Sequence, residues 1–593
     1  MTPQNYYEKV VAEAELLRQK LGRKAFAVAM LRLAVFLAAV AVIVVFWSDT
    51  KIVGGAFLGG VALFLFLAKK SSHIAGLKQV ENAKIQWAQG NLKRLRMDLD
   101  GLPEGKEYVD VRHDYTFDID VFGKHSLFAL LNTTSTPFGR DRLAEWLVRP
   151  PKTAEEVALW QDVVKELAGN EHFRLQIASI GQVVSEEMPK EDVDFSDIPD
   201  FSVSLWQRVA MAAVPFMYLA LFVLVGKGYV PGSAIFYVFL LVLALGSVQA
   251  KRVGLLHRWA TVAAGRVAGC SGLFRVIEST KFSSEGLMDL QQSISGGSAP
   301  ASVLTERLSR YIHNLDQRYN VFGYAILNGF LLWDWRQLHN IDCWIKANGS
   351  KLAEWKDTVA RYDAFCALAT FSYNNPDYAF PILDPDGKTI MSAQEAGHPL
   401  LGSRCVCNDV SLLSEGMFTV VTGANMAGKS TYLRMVATNY LLALIGAPVF
   451  ARQMVFTPVS LFTGLRTSDS LSDGTSYFFA ELQRLQEIVR RAEGGERMFV
   501  ILDEILRGTN SADKQQGSLG LIRKLLDLPV AGIIATHDLV LGTLADAFPG
   551  KVRNCCFEAD ISGDKLTFSY RLQEGVAKNA NASFLMRQMG IIK

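Results

Sequence analysis

The residues best suited to chemistry lie in the last third of the chain. Gly423-Ala424-Asn425-Met426-Ala427-Gly428-Lys429-Ser430 follows a hydrophobic run at 418–422 and leads through Thr431 into a helical pattern. The spacing is G-x-x-x-x-G-K-[ST] in a strand–loop–helix setting. The glycines let the backbone curl so that amide N–H groups converge on phosphate oxygens, and the helix N-terminus adds a favourable dipole. Gly423, Ala424, Asn425, Met426, Ala427, Gly428, Lys429, Ser430 and Thr431 are therefore expected to bind ATP. Lys429 would neutralise the β- and γ-phosphates, and the Ser430 hydroxyl would ligate Mg²⁺. A second hydrophobic run, 498–502, ends in Asp503-Glu504. Downstream of a phosphate loop, that pair places Asp503 on Mg²⁺ and Glu504 on the attacking water. His537 ends a third run, 533–536, where it would sense the γ-phosphate. The catalytic set expected is thus Glu504, His537 and Lys429, with Ser430 and Asp503 on the metal.

These motifs together resemble one family. Residues 422–432 are similar to the MutS nucleotide loop T-G-P-N-M-x-G-K-S-T-Y, with Asn425 and Met426 as distinguishing positions. Leu502-Asp503-Glu504-Ile505-Leu506-Arg507-Gly508-Thr509 resembles D-E-x-x-R-G-T, and Ala535-Thr536-His537 resembles A-T-H. Gly474-Thr475-Ser476-Tyr477-Phe478-Phe479-Ala480-Glu481 is similar to the S-T-F-x-x-E segment, and Gly397-His398-Pro399 to G-x-H-P. A weaker likeness runs from Asp120 through Thr136-Pro137-Phe138-Gly139 to Leu147, similar to the start of the family's helical core. The resemblance implies a dimer in which Ser476 of one copy completes the nucleotide site of the other. It also implies an ATPase fold of the ABC/MutS type and contact with DNA. Ala424, Ala427 and Tyr477 depart from the family pattern. No stretch resembles the F-x-E mismatch-reading domain or the DNA clamp, and Tyr6-Tyr7-Glu8 is a chance echo.

Short β-rich runs alternating with helices from about Pro381 onward predict an α/β sheet whose strands are buried on both faces. Upstream, residues 111–200 hold a soluble unit with helical patterning from about Ser126 to Ile180, and residues 251–370 are largely helical, with a stripe through Leu304, Leu308, Tyr311, Ile312, Leu315, Tyr319 and Phe322. A second stripe through Ile326, Phe330, Trp333, Leu338, Ile341 and Trp344 reads as core packing. The chain has 593 residues, too many for one core. Half are hydrophobic, and the excess is concentrated in runs. Residues 25–47 are apolar but for Arg32, and 52–68 are apolar throughout, with a polar turn between. A span needs roughly 20 apolar residues, so these predict a transmembrane hairpin. Residues 209–225 and 229–248, joined by Gly226-Lys227-Gly228, predict a second. Lys20, Arg23, Lys24, Lys69, Lys70, Lys251 and Arg252 flank the hairpins and are expected on the cytoplasmic side, with the ATPase.

The expected architecture is multidomain: α-helical membrane hairpins, a helical core and lever, and a C-terminal α/β P-loop NTPase domain. Residues 1–110 would hold an N-terminal helix, the first hairpin, a polar helix from 72 and a linker. Residues 111–204 would start the core, 205–250 form the second hairpin, 251–375 continue the core, and 376–593 form the ATPase. The net charge of +2 announces no nucleic-acid-binding excess. Seven scattered cysteines without a C-x-x-C pair suit a reducing cytosol and no zinc site. The reading is a membrane-anchored ATPase, bound to ATP, Mg²⁺ and lipid, that switches as a homodimer. Its DNA binding would serve mismatch repair or recombination-related processing. The competing readings are a membrane-bound switch on protein or lipid partners, and a transporter-like ATPase, for which the apolar runs hold few polar groups to line a pathway.

Overall fold

The computed structural model describes residues 1–188, 202–296, 299–424, 426–466, 477–506, 510–562 and 565–577. Two long antiparallel helices lead: α1 (Pro3–Val45) and α2 (Thr50–Leu95). Asp49 fixes the turn between them by accepting from the amides of Lys51 and Ile52. α1 extends well before the apolar run at 25–47. α2 continues without a break through what the sequence suggested was a separate polar helix from 72. In the apolar part Gly60 lies against Ala39, where a Cβ would come within 2.9 Å. Where the apolar part passes into the polar part the pair is seamed by Leu21, Val28, Leu67 and Ile74. Its foot is aromatic: Tyr7 packs 5.4 Å from Trp87 and donates to Asn374 Oδ1 at 2.6 Å.

The helical body starts with α3 (Leu127–Leu131), α4 (Pro137–Val148), α5 (Ala154–Gly169) and α6 (Glu171–Glu187). The T-P-F-G run explains the start of α4: Thr136 caps the Gly139 amide and Pro137 needs no partner at the first helical position. Next come α7 (Leu205–Gly226), α8 (Ser233–Ser247) and α9 (Ala250–Trp259), with α8 beginning four residues later than the apolar run suggested. Short helices α10 (Gly265–Gly269), α11 (Ser271–Ser279) and α12 (Glu285–Ser295) follow. The body closes with α13 (Ala301–Asp316), α14 (Val321–Leu331), α15 (Trp333–Asn348) and α16 (Leu352–Asn374). The stripe expected to run from Leu304 to Phe322 is interrupted. Leu304, Leu308, Ile312 and Leu315 are buried, but a break at 317–320 leaves Tyr319 and Phe322 exposed. Among the described residues, α1, α2 and α7 are long and apolar enough to cross a membrane; α8, bent by 53° from the helix after it, adds a fourth if that pair counts as one span.

The C-terminal region is the expected α/β unit. β1 (Ile382–Leu383), β2 (Thr389–Ala396), β3 (Asn408–Ser414) and, later, β5 (Gln453–Phe456) form a four-stranded sheet in the order β1-β5-β2-β3. β4 (Phe418–Gly423), β6 (Ser460–Gly464), β7 (Met498–Asp503), β8 (Val530–Thr536), β9 (Val552–Ser562) and β10 (Lys565–Glu574) form a second, in the order β10-β9-β4-β8-β7-β6. All its pairs are parallel except β9–β10. α17 (Lys429–Leu444), α18 (Tyr477–Glu493), α19 (Ser511–Leu525) and α20 (Leu544–Ala547) accompany it. β4 and β8 are buried at every position, as helices on both faces require. One face of the sheet joins a core continuous with the helical body, and the other carries its own cluster around Leu485, Ile488 and Ile522.

Candidate functional site

Strand register brings the predicted residues to one edge. Thr422 of β4 pairs with Thr536 of β8, and Asp503 of β7 pairs with Ala535, so three chain segments leave the sheet side by side at its C-terminal end. From β4 the chain turns through Gly423 (φ 151°), Met426 (φ 70°) and Gly428 (φ 108°) into α17. The two glycines are required here: a Cβ on Gly423 would meet the Phe557 carbonyl at 2.8 Å, and positive φ is strained for other residues.

The functional atoms are in mutual contact. The buried Lys429 ammonium donates to the carbonyls of Gly423 (2.8 Å) and Ala424 (2.9 Å), curling the loop around itself. Ser430 Oγ donates to Asp503 Oδ2 at 2.6 Å. His537 Nε2 lies 2.7 Å from Glu504 Oε1 and 3.2 Å from Lys429 Nζ. One ring nitrogen thus stands between a carboxylate and an ammonium. With a proton it donates to Glu504; without one it accepts from Lys429. Glu504 is held in a left-handed conformation (φ 50°), its amide bonded to the Ala535 carbonyl. Leu506 is likewise left-handed (φ 60°), and its amide donates to Glu481 of α18 at 2.6 Å. Such strain persists where the surroundings over-determine it, and Glu481 is one of those supports.

A cavity of about 210 Å³ opens beside the loop, next to Gly428 and Thr431 and walled by His398, Cys405, Val406, Tyr432, Phe557 and Tyr570. Burial, aided by the Arg434 charge, pushes His398 down to about 4, so its ring is neutral at physiological pH. Its backbone N–H points to Cys405 Sγ at 3.1 Å.

The structure therefore gathers Gly423, Ala424, Met426, Ala427, Gly428, Lys429, Ser430, Thr431, Asp503, Glu504 and His537 in one place. Asn425 and Ser476 lie outside the described residues, as do Gly474, Thr475 and 507–509. The sequence did not reveal the clasp that ties this unit to the helical body. Asp118, fully buried, accepts from Thr463 Oγ1 (2.7 Å), the amides of Leu465 (3.0 Å) and Arg466 (3.3 Å), and Arg484 (3.2 Å). Asp120 takes a two-pronged contact from Arg466 at 2.7 and 2.9 Å and one from Arg434 of α17 at 3.3 Å. Arg434 sits one turn beyond the phosphate-loop helix start, so the clasp reaches the site's own scaffold. The loss of helical pattern around Asp118-Ile119-Asp120, with three acids in seven residues from 114, was the available signal.

These features define a class: a helical body carrying a C-terminal α/β unit whose strand ends converge on a phosphate-type loop. Comparison with known proteins narrows it. Residues 419–589 match the family model for MutS domain V, and residues 112–195 match MutS domain III. The chain is similar to the DNA mismatch repair protein MutS of Thermotoga neapolitana, 31% identical over 237 residues, 39% of this chain and 29% of that protein. It is 33% identical over 240 residues to MutS of Natronomonas pharaonis, covering 40% and 27% of the two chains. It is 31% identical over 234 residues to the DNA mismatch repair protein MSH3 of Vanderwaltozyma polyspora, covering 37% and 22%. Over these two stretches the chain is similar to the MutS family. The matched part spans less than a third of the length of these relatives.

Proposed function

We propose that the chain is a membrane-anchored MutS-type ATPase that binds Mg·ATP at the β4–α17 loop and switches conformation as a homodimer. The observation that carries the reading is the convergence of Lys429, Ser430, Asp503, Glu504 and His537 within hydrogen-bond reach of one another. The residues present fit the ligand. The Ser430–Asp503 pair supplies the hard oxygen donors that Mg²⁺ takes. Lys429 and the α17 N-terminus supply positive charge for phosphate. The cavity beyond Gly428 has the aromatic and apolar wall that a nucleobase stacks on. Bound ATP supplies the β–γ anhydride and Mg²⁺ the charge that offsets its oxygens. Lys429 then exchanges its loop carbonyls for phosphate oxygens, Glu504 takes up the proton of the attacking water, and His537 holds Glu504 in position. Ser476 completes the site across the dimer.

In this reading α1, α2, α7 and α8 enter a bilayer, where side chains such as Phe36, Phe57, Phe66, Phe216 and Phe222, all exposed, find apolar surroundings. The soluble units lie on the cytoplasmic side. The mismatch-repair relatives support action on DNA, in mismatch repair or recombination-related processing. The test uses the detergent-solubilised chain. Lys429→Ala is expected to abolish nucleotide binding, and Glu504→Ala to bind Mg·ATP without turning it over. Normal hydrolysis by the Glu504 variant would refute its assignment as base. Salt-dependent binding to duplex, mismatched and branched DNA tests the substrate class.

A further inference from the structure

The proposed anchor leaves one apolar helix unexplained. α14 reads V-F-G-Y-A-I-L-N-G-F-L, without a charge. At about 1.5 Å per residue it is roughly half as long as the ~30 Å a bilayer core demands. One face packs on the second hairpin. Gly329 lies so close to the Phe239 ring that a Cβ would clash, and its carbonyl accepts from Tyr218 at 2.8 Å. Phe330 packs 4.9 Å from Tyr218 and 5.2 Å from Phe239. Near the other end Tyr324 meets Ser247, the last residue of α8, at 3.2 Å. The opposite face is uncovered: Val321, Phe322 and Ile326 are 77%, 81% and 56% exposed.

Polar groups at both ends of α14 fix it to its neighbours. Arg318, before it, donates to the Ala250 carbonyl at the start of α9. Arg336, after it, donates to the carbonyls of Leu331 and, on α7, Met211. The start of α14 is thus tied to α9, just after the second hairpin, and its end to the first half of α7. α9 continues the same surface. The 53° bend after α8 turns the chain away from the span direction. Lys251, Leu255 and Arg258, at i, i+4 and i+7, form one exposed face of α9. α9 joins α14 through His257, which lies 3.3 Å from Tyr319. The nearby acid, Asp316, is engaged by His257 at 2.7 Å and His313 at 3.5 Å.

We infer that α14 and the exposed face of α9 form a docking surface for an anionic bilayer. Val321, Phe322 and Ile326 enter the acyl boundary while Lys251 and Arg258 meet lipid phosphates. Apolar side chains on one side with cations at the same level are what an interfacial helix requires. The apolar surface is continuous with that of α7 and α8, so the inference rests on the membrane reading of the second hairpin.

The test reconstitutes the full chain in phosphatidylcholine vesicles with and without phosphatidylglycerol. An environment-sensitive fluorescent amino acid replaces Phe322 or, as reference, Leu219 in α7; both are exposed, so folding is spared. Quenching by lipids doxylated near the headgroup or deep in the chain is compared with quenching by aqueous iodide. The expected result is shallow-doxyl quenching at 322, several-fold weaker iodide quenching there than in detergent-free unfolded chain, and deeper quenching at 219. Doxyl quenching at 219 with iodide quenching alone at 322 would overturn the inference and leave the anchor standing. No doxyl quenching at either site would remove the anchor as well. Protection of 322 from both quenchers would put protein, not lipid, over α14 and overturn the inference. Phosphatidylglycerol should raise shallow quenching at 322, and Lys251→Gln with Arg258→Gln should cancel that gain. An undiminished gain would overturn the assignment to anionic lipid.

Discussion

Asp118→Ala tests whether the helical body and the C-terminal α/β unit are held by a buried carboxylate. The residue is fully buried and accepts four hydrogen bonds, from Thr463 Oγ1, two amides and Arg484. Hydrogen bonds to a charged group contribute about 1.5–3 kcal/mol each, and a buried donor left unpaired costs about 1–3 kcal/mol. The sum overshoots, because Arg484 keeps other acceptors, the carbonyls of His113, Asp114 and Thr463. The amides of Leu465 and Arg466 and the Thr463 hydroxyl carry most of the loss, since Thr463 keeps only a 3.4 Å contact with the Asp114 carbonyl. A total near 3 kcal/mol follows, inside the range for breaking a buried charged pair. Asp118→Asn keeps one acceptor oxygen and should lose about half as much. Asp120→Ala, whose side chain is 35% exposed, should lose about 1 kcal/mol after solvent screening. Hydrogen exchange on the solubilised chain reads the effect locally. Leu465 and Arg466 should exchange about a hundredfold faster in Asp118→Ala, since about 1.4 kcal/mol is tenfold. Unchanged protection at those two amides would show that the clasp does not hold the units together.

Three other perturbations act elsewhere. Ser430→Ala removes the hydroxyl bonded to Asp503, so ATP binding should lose most of its gain from Mg²⁺; isothermal titration with Mg²⁺ and with EDTA compares the two, and an intact gain contradicts the metal assignment. His398 is held neutral in the folded state, with its pKa lowered to about 4 from 6.5. Its stabilising contribution is present above pH 6.5 and is lost as pH falls toward 4, about 3 kcal/mol in all. Thermal melting across that window should therefore slope less steeply in His398→Asn than in the parent, and identical slopes count against the buried neutral ring. Gly446 sits at φ 70° with Trp160 Cβ 2.8 Å from where its own would be, so Gly446→Ala should cost about 2–3 kcal/mol, read as a lower melting temperature.

What was legible in the sequence was local. The loop ending at Lys429, the acids ending β7 and the histidine ending β8 each stand within a few residues of a buried strand, and parallel pairing alone then brings them together. The contacts that fix the site's surroundings are long-range. Glu481 reaches Leu506 from another helix, and Asp118 reaches Leu465 across 347 residues. Periodicity also misjudged where helices stop. The apolar run of α2 ends near 68, but nothing breaks the helix, and pairing with α1 and α6 carries it on to Leu95. Conversely, the stripe from Leu304 to Phe322 crosses a helix end. Asn320, which accepts from the Phe322 and Gly323 amides, starts a new helix there, a capping signal hydrophobic spacing conceals.

The packing constrains how the proposed ATP-driven switch can work. The buried core on one face of the main sheet runs unbroken from Leu99 in the helical body to Phe557 in β9. Gly446, just after α17, presses on Trp160 of α5, and the Asp118 clasp locks the far side. Swinging the α/β unit away from its own helical body would expose that core and strand a buried carboxylate. Both costs are large against the few kcal/mol that a conformational equilibrium can absorb. The opposite face of the sheet, by contrast, is a separate cluster that could stay closed. In the proposed dimer, the movement that ATP drives is therefore between two whole protomers. Each body carries its foot contact, Tyr7 on Asn374, and its long apolar helices with it as a rigid piece.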